Sequence, residues 1–221
     1  MQERCIDSVE ALVAALESPM RELMDCPYAI LGYSMGASIA LELCRRLRGG
    51  ILPLPVALFV VGAPGPRAPK RPPIAGLSHE AFIEELRRLG GTSQAVLENQ
   101  TLLDTFLPVL RADFALIESY DYSAQEPLSL PTFAYAGESD ALAPPASVAR
   151  WSDEVDGPFQ MRRFAGGHFF VQSNLDAVAD AILRDLEGCL MPPSNEFESA
   201  GPTQALVGDA REGNAYRQLV T

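Results

Sequence analysis

The sequence predicts an α/β fold, in which helices flank a mainly parallel sheet and a helical segment is inserted between two strands. Short apolar runs typical of buried strands alternate with segments of helical periodicity. Small turns rich in glycine separate several of these runs from the helices. Residues 78–122 are helical in pattern throughout and interrupt the alternation. With 221 residues, one domain with a sizeable core is expected.

The first half of the chain carries a helix, a strand, a second helix and a second strand. Capping-box spacing begins the first helix near Ser8, and Pro19 is expected to restart it. Residues 64–73 contain five prolines, so this segment is predicted as a loop and not as a helix or a central strand. The predicted elements are a helix from Ser8, a strand over 28–31, a helix that ends at the C-cap glycines Gly49 and Gly50, and a strand over 56–62.

The second half begins with the helical insertion and then returns to strands. The insertion is predicted as a lid over about residues 76–122, with apolar faces over 82–89, 97–110 and 114–118 on three segments. The run over 130–136 predicts the third strand, and Phe159–Phe164 is predicted as the fourth. A last helix is predicted after its cap residue Asn174, and its buried side chains are expected to be Leu175, Val178, Ile182 and Leu186.

Composition excludes several classes of function. The net charge of −12 repels nucleic-acid phosphates and anionic lipid, so neither is expected as a partner. Four cysteines lie far apart without a C-x-x-C pair, which indicates neither a disulfide framework nor a zinc site. No signal segment and no apolar run of about 18 residues occurs, so a cytoplasmic protein is expected.

Three polar residues follow predicted strands directly. Ser34 comes after the first strand, Asp140 after the third and His168 after the fourth. Because ligands of parallel sheets bind beyond the carboxyl ends of the strands, these residues are predicted to meet at one edge.

Their chemistry is that of an activated nucleophile. A serine hydroxyl needs a base to take its proton, and the imidazole needs a carboxylate to orient it. Ser34 lies in a G-x-S-x-G motif, in which Gly32 and Gly36 supply the small flanks of a sharp strand-to-helix turn. The order Ser, Asp, His is that of α/β-hydrolases. The backbone N–H of Met35, at a helix N-terminus, is predicted to donate to a developing oxyanion.

Three other residues are alternatives for the roles of the base and the carboxylate. The chain has two histidines, and His79 lies at the start of a helix, where a solvated or capping role is favoured. Glu138 lies two residues from Asp140, and a small shift of the loop would place either carboxylate beside the histidine. Asp140 is preferred because Glu138 is expected to point to the opposite side of the turn. Asp113 is a more distant alternative, and its expected role is a charge on a helix surface.

The predicted lid has two interpretations. It shapes an acyl-binding pocket, or its apolar side chains only pack it onto the core. The side chains concerned are Phe106, Leu107, Leu110 and Phe114.

Several sequence blocks together resemble a known family, the stand-alone type II thioesterases that accompany polyketide synthases and nonribosomal peptide synthetases. The resemblance covers residues 1 to about 190. It rests on PYAILGYSMGA at 27–37, LRRLGG at 86–91, LPVLRADF at 107–114, YDY at 120–122, GESD at 137–140 and GGHFF at 166–170.

The resemblance implies an α/β-hydrolase fold and hydrolysis of acyl groups held on the phosphopantetheine arm of acyl or peptidyl carrier proteins. It implies that Ser34 is the acylated nucleophile, His168 the general base and then acid, and Asp140 its orienting partner. No metal or cofactor is implied. Two other hypotheses stay open: a non-catalytic module that binds a carrier protein, and an acyltransferase that uses the same acyl-serine.

The sequence departs from the family pattern in two respects. Tyr33 stands where the family usually has histidine. Only 27 residues precede Tyr28, so the chain is expected to lack the family's first portion, which includes a glycine-rich loop that gives a second oxyanion donor. The elbow strand is then expected at a sheet edge and the activity is expected to be weaker. Residues 1–191 are predicted as the domain, and 192–221 as a disordered tail.

Overall fold

Four parallel strands form a sheet in the order β1-β2-β3-β4, which confirms the predicted α/β class. The computed structural model describes residues 5–50 and 52–190, so the predicted tail lies outside the described residues. Within this part of the chain, β1 lies at one edge of the sheet. The strands are β1 Ala29–Tyr33, β2 Ala57–Val61, β3 Thr132–Gly137 and β4 Phe159–Phe164.

Helices connect and follow the strands. α1 precedes β1, α2 joins β1 to β2, and three helices between β2 and β3 form the helical insertion. None of the helices in the described part of the chain is long and apolar enough to cross a membrane. The helices are α1 Val9–Arg21, α2 Met35–Arg48, α3 His79–Leu89, α4 Gln94–Leu97, α5 Gln100–Ser119, α6 Pro145–Val148, α7 Phe170–Ser173 and α8 Leu175–Leu190, with a 3-10 helix at Ala149–Glu154.

Three predictions were wrong, one about Pro19, one about the division of the insertion into segments and one about burial. Pro19 lies inside α1, which ends two residues later, instead of restarting a helix. The second and third predicted segments of the insertion are one helix, α5, which continues through Pro108. Burial of Leu103, Leu107 and Leu116 along α5 offsets the hydrogen bond that proline removes. Leu175 is 64% exposed because it begins α8 at the surface, before the helix face that packs on the sheet.

Alternation along the central strands sorts the core into two layers. Successive side chains of a strand point to opposite faces, and both faces of β2 and β3 are covered. Leu58, Val60 and Ala134 pack with α2 and with Trp151 of the 3-10 helix. The opposite layer is formed with α7 and α8 and contains Ala57, Phe59, Val61, Phe133, Tyr135, Phe170, Val178 and Ala181.

A buried ionic group ties α2 to the end of the insertion. The Arg45 guanidinium lies 3.0 Å from a Glu154 carboxylate oxygen and 2.7 Å from that of Glu42. Two tyrosines that follow α5 donate to these carboxylates: the Tyr120 hydroxyl to Glu42 at 2.7 Å and the Tyr122 hydroxyl to Glu154 at 2.8 Å. Arg67 Nε lies 3.0 Å from the other Glu154 oxygen, so the group contains two cations and two carboxylates. Pairing matters here because an unpaired buried charge would be costly.

A second polar group joins α8 to the sheet. The Asp185 carboxylate accepts hydrogen bonds from the Tyr135 hydroxyl at 2.6 Å and from Arg162 Nε at 2.8 Å. Burial alone would raise the pKa of Asp185, but the hydrogen bonds from Arg162 and Tyr135 outweigh it and hold that pKa below its ordinary 3.8. The charged carboxylate is thus favoured in the folded state.

We expect Asp185→Asn to lower the free energy of unfolding at pH 7 by about 2 kcal/mol, since hydrogen bonds to a charged group are lost. Because the pKa of Asp185 is lower in the folded than in the unfolded state, its contribution is full above 3.8 and is lost as pH falls through the folded value. Urea unfolding between pH 2 and 7 should show the difference between wild type and variant shrinking at low pH. Asp180→Asn, at an exposed position of α8, is the control and should behave as wild type. A difference that does not change with pH would contradict this account.

Candidate active site

The turn after β1 places Ser34 at the start of α2. Ser34 has φ 54°, the positive φ that serine rarely adopts. Its N–H donates to the Val61 carbonyl at 2.8 Å, which holds the strained residue at the end of the sheet. Gly32 lies against the first turn of α2, and a Cβ there would stand 2.6 Å from the Ala37 nitrogen. The missing side chain of Gly32 therefore allows the turn to close.

The loop after β4 brings His168 to the same edge of the sheet. Gly166 has φ 108°, a backbone conformation that glycine adopts readily and other residues rarely do. Its carbonyl accepts a hydrogen bond from the Ser139 N–H at 3.0 Å. A Cβ at Gly137, the last residue of β3, would stand 2.7 Å from the Gly166 carbonyl oxygen. The ends of β3 and β4 thus fit closely because small residues meet there.

Three side chains form a continuous hydrogen-bonded chain at this edge. Ser34 Oγ lies 3.0 Å from His168 Nε2, and His168 Nδ1 lies 2.9 Å from Asp140 Oδ2. The other Asp140 oxygen accepts from the N–H groups of Leu142 and Ala143 at 2.8 and 2.9 Å. The Asp140 side chain is fully buried and that of His168 is 11% exposed. Because an ionised carboxylate only accepts, Nδ1 carries the proton and Nε2 is free to accept from serine.

The alternative residues lie elsewhere. Glu138 is exposed, and its N–H pairs with the Phe164 carbonyl at 2.9 Å. Asp113 lies within α5, where burial raises the pKa of its carboxyl. His79 begins α3, in the insertion. The structure therefore brings together Ser34, Asp140 and His168, and not these alternatives.

Met35, the predicted oxyanion donor, is the first residue of α2. The first N–H groups of a helix have no acceptor within it. Among the described residues, no acceptor bonds to the Met35 N–H. This N–H is thus available beside Ser34, and its role stays a prediction.

The four predicted lid side chains differ in their surroundings. Leu107 is buried between α3 and α5, and Leu110 and Phe114 pack against the same cluster. Phe106 is 46% exposed on α5. Three of the four therefore hold the helices of the insertion together, and contact with a substrate stays a prediction for all of them.

Two contacts around the histidine escaped sequence reasoning. The Tyr33 hydroxyl donates to the His168 carbonyl, 135 residues away, at 2.6 Å. The Phe169 ring stands edge-on to the His168 ring, with centroids 5.1 Å apart. A Cβ at Gly91, just after α3, would stand 2.7 Å from the tip of Phe169, so the insertion reaches the histidine's neighbour. The motif at 32–36 and the aromatic run at 168–170 mark these residues, but no local pattern shows their contact.

Comparison with known proteins places the chain in a protein family. Residues 1–186 match the thioesterase domain family. The gramicidin S biosynthesis protein GrsT of Aneurinibacillus migulanus is 32% identical over 188 residues, which are 85% of this chain and 73% of GrsT. The thioesterase PikA5 of Streptomyces venezuelae is 37% identical over 189 residues, which are 81% of this chain and 64% of PikA5. The chain thus spans about two thirds to three quarters of the length of these relatives.

Solved structures agree. The type II thioesterase BorB from the borrelidin cluster is 34% identical with a TM-score of 0.75, and the match covers 83% of this chain and 75% of BorB. RedJ, a thioesterase of the prodiginine pathway in Streptomyces coelicolor, is 34% identical with a TM-score of 0.77, over 83% of this chain and 73% of RedJ. Human thioesterase 2, at 23% identity and a TM-score of 0.65, supports the fold. The resemblance to type II thioesterases drawn from the sequence is confirmed.

The two glycines of the G-x-S-x-G motif are expected to respond differently to alanine. In Gly32→Ala, the new Cβ would overlap the backbone of α2, and we expect stability to fall by about 3 kcal/mol or more. Gly36→Ala is the matched control, since a Cβ there has no described atom within 4 Å, and it should fold as wild type. Thermal unfolding of both variants measures the difference. Equal losses of stability would show that the contact at Gly32 does not limit the turn.

Proposed function

Because this chain belongs to the thioesterase domain family, we propose that it is a serine hydrolase that cleaves acyl thioesters. The single observation that supports this most is the hydrogen-bonded chain from Ser34 Oγ through the His168 ring to Asp140. In this arrangement His168 takes the hydroxyl proton as Ser34 attacks, whereas a serine without a neighbouring base has no group to accept that proton. Each of its members lies at the carboxyl edge of the sheet, where α/β proteins bind ligands.

In the first half-reaction, the enzyme is acylated. Ser34 Oγ attacks the thioester carbonyl carbon while His168 Nε2 takes its proton. Asp140 holds the ring and balances the positive charge of the imidazolium. The Met35 N–H donates to the oxyanion of the tetrahedral intermediate. The carbon–sulfur bond then breaks, His168 returns the proton to sulfur, and a free thiol leaves.

In the second half-reaction, water replaces the thiol. His168 takes a proton from water as its oxygen attacks the acyl-Ser34 carbonyl carbon. Collapse of this intermediate breaks the ester bond, and His168 protonates Ser34 Oγ. A carboxylic acid leaves and the enzyme returns to its first state. Besides the substrate, every step uses only groups of this chain and water.

The substrates we propose are acyl groups on the phosphopantetheine arm of an acyl or peptidyl carrier protein. GrsT is named for gramicidin S biosynthesis, and BorB and RedJ for the borrelidin and prodiginine pathways. By this similarity, the chain would hydrolyse aberrant acyl groups from carriers of an assembly line for a polyketide or nonribosomal peptide. The helical insertion, which reaches Phe169 beside His168, would act as the lid over the acyl group.

Ser34→Ala is expected to abolish both covalent labelling by a fluorophosphonate probe and release of thiol from an acyl-phosphopantetheine carrier, because Ser34 Oγ is the nucleophile. Labelling is read by intact-mass spectrometry and thiol release by a chromogenic disulfide. Carrier binding without thiol release by the wild type would instead indicate a binding module. Products formed with an added amine or alcohol separate hydrolysis from acyl transfer. A folded wild type that the probe does not label would overturn the serine mechanism.

Asp140→Asn is expected to lower the rate of thioester hydrolysis by about 10⁴-fold. An amide in this place donates to Nδ1, so the ring carries its proton on Nε2 and cannot accept from Ser34. Glu138→Gln is the matched control two residues away, and as an exposed side chain it should keep the wild-type rate. Steady-state rates with an acyl thioester measure both variants. If the Glu138 variant loses more activity than the Asp140 variant, the assignment of the carboxylate is wrong.

A further inference from the structure

We propose that Tyr33 is a positioning residue that fixes His168 for proton transfer with Ser34. This inference rests on the proposed function, since it concerns the same serine and histidine. Tyr33 is the last residue of β1 and directly precedes Ser34. One end of the strand thus carries both the nucleophile and the group that holds its base.

The Tyr33 hydroxyl is hydrogen-bonded to the backbone of His168. The Tyr33 hydroxyl donates to the His168 carbonyl oxygen at 2.6 Å. Among the described residues, no backbone N–H donates to this carbonyl. Burial, and then the negative charge of Asp140, raise the pKa of Tyr33 to about 12. The phenol therefore stays protonated and remains a donor at every pH at which proteins are normally assayed.

The tyrosine ring also supports the imidazole. The Tyr33 and His168 rings are stacked, with centroids 5.7 Å apart and planes 25° from parallel. Gly62, at φ 57°, lies directly behind the tyrosine, and a Cβ there would stand 3.1 Å from Tyr33 Cε2. Because Gly62 has no side chain, the Tyr33 ring can occupy its position beside His168 without crowding.

His168 needs such support because of the loop that carries it. Gly166 and Gly167 precede it, and glycine restricts the backbone least. Asp140 holds only the Nδ1 end of the ring. The bond from Tyr33 holds the other end of the residue, its carbonyl, so the ring can neither tilt nor withdraw from Ser34 without breaking one of the two bonds. A loss of this bond is therefore expected to weaken proton transfer more than substrate binding.

The test is Tyr33→Phe, which keeps the ring and removes the hydroxyl. The matched control is Tyr28→Phe, because Tyr28 lies just before the same strand and its hydroxyl also donates to a backbone carbonyl, that of Pro53. We expect the rate of fluorophosphonate labelling and the kcat for thioester hydrolysis to fall about fivefold to tenfold in Tyr33→Phe. KM should change by less than about twofold, since the phenol is bonded to the His168 backbone and a positioning role acts on proton transfer. Tyr28→Phe should match the wild type in both.

A second measurement separates positioning from stability. The chain has two histidines, so His79→Gln leaves His168 as the single source of imidazole signals in a proton NMR spectrum. In this background the Nδ1–H that bonds Asp140 should give a low-field resonance protected from exchange. With Tyr33→Phe the resonance should broaden or disappear, while the melting temperature stays near that of the background protein.

The outcomes are distinct. If the probe does not label the wild type, the proposed serine mechanism fails, and the positioning role of Tyr33 fails with it. If the wild type is labelled but Tyr33→Phe reacts at the same rate and keeps the resonance, the positioning role is refuted. A lower melting temperature with unchanged kcat per folded molecule would show that Tyr33 serves stability alone, which also refutes it.

Discussion

The contact between Gly32 and the first turn of α2 is the constraint on which the candidate active site depends. A backbone that passes this close to a helix leaves no space for a side chain, and it forces the residue between strand and helix into a positive φ. That residue is Ser34. Its side chain therefore projects beyond both elements, beside the Met35 N–H at the helix start. The hydrogen bond from the Ser34 N–H to the carbonyl of Val61 fixes this turn to the end of β2.

The parallel sheet then determines what Ser34 meets. β3 and β4 end at the same edge as β1, so residues that directly follow them converge without any long-range recognition of their own. The core on both faces of β2 and β3, and the Asp185 group that bonds Tyr135 of β3 and Arg162 of β4, hold these strands together. The ends of β3 and β4 are paired as far as Gly137 and Phe164, so the residues that follow them start from neighbouring points, and His168 Nδ1 lies 2.9 Å from Asp140 Oδ2.

Much of this arrangement could be predicted because it follows local rules. The bounds of β4 agree with the predicted strand, and the meeting of Ser34, Asp140 and His168 follows from their positions after strands. The continuity of α5 and the exposure of Leu175 were not predicted, because packing in the folded protein decides whether a helix continues and which turn it buries. The bond between Tyr33 and His168 joins residues far apart in the chain, and nothing in either segment marks a donor and acceptor pair. Sequence patterns predict which elements form, whereas contacts between loops depend on distances of a few tenths of an ångström.

The contact between Gly91 and Phe169 limits how the chain can change during evolution. A side chain at position 91 would displace the ring of Phe169, which itself leans on His168. A larger residue at position 91 therefore requires the Phe169 ring to move, and with it the contact that this ring makes with His168. A surface turn of the insertion, distant in the chain from the reacting atoms, is in this way coupled to the residues around the histidine.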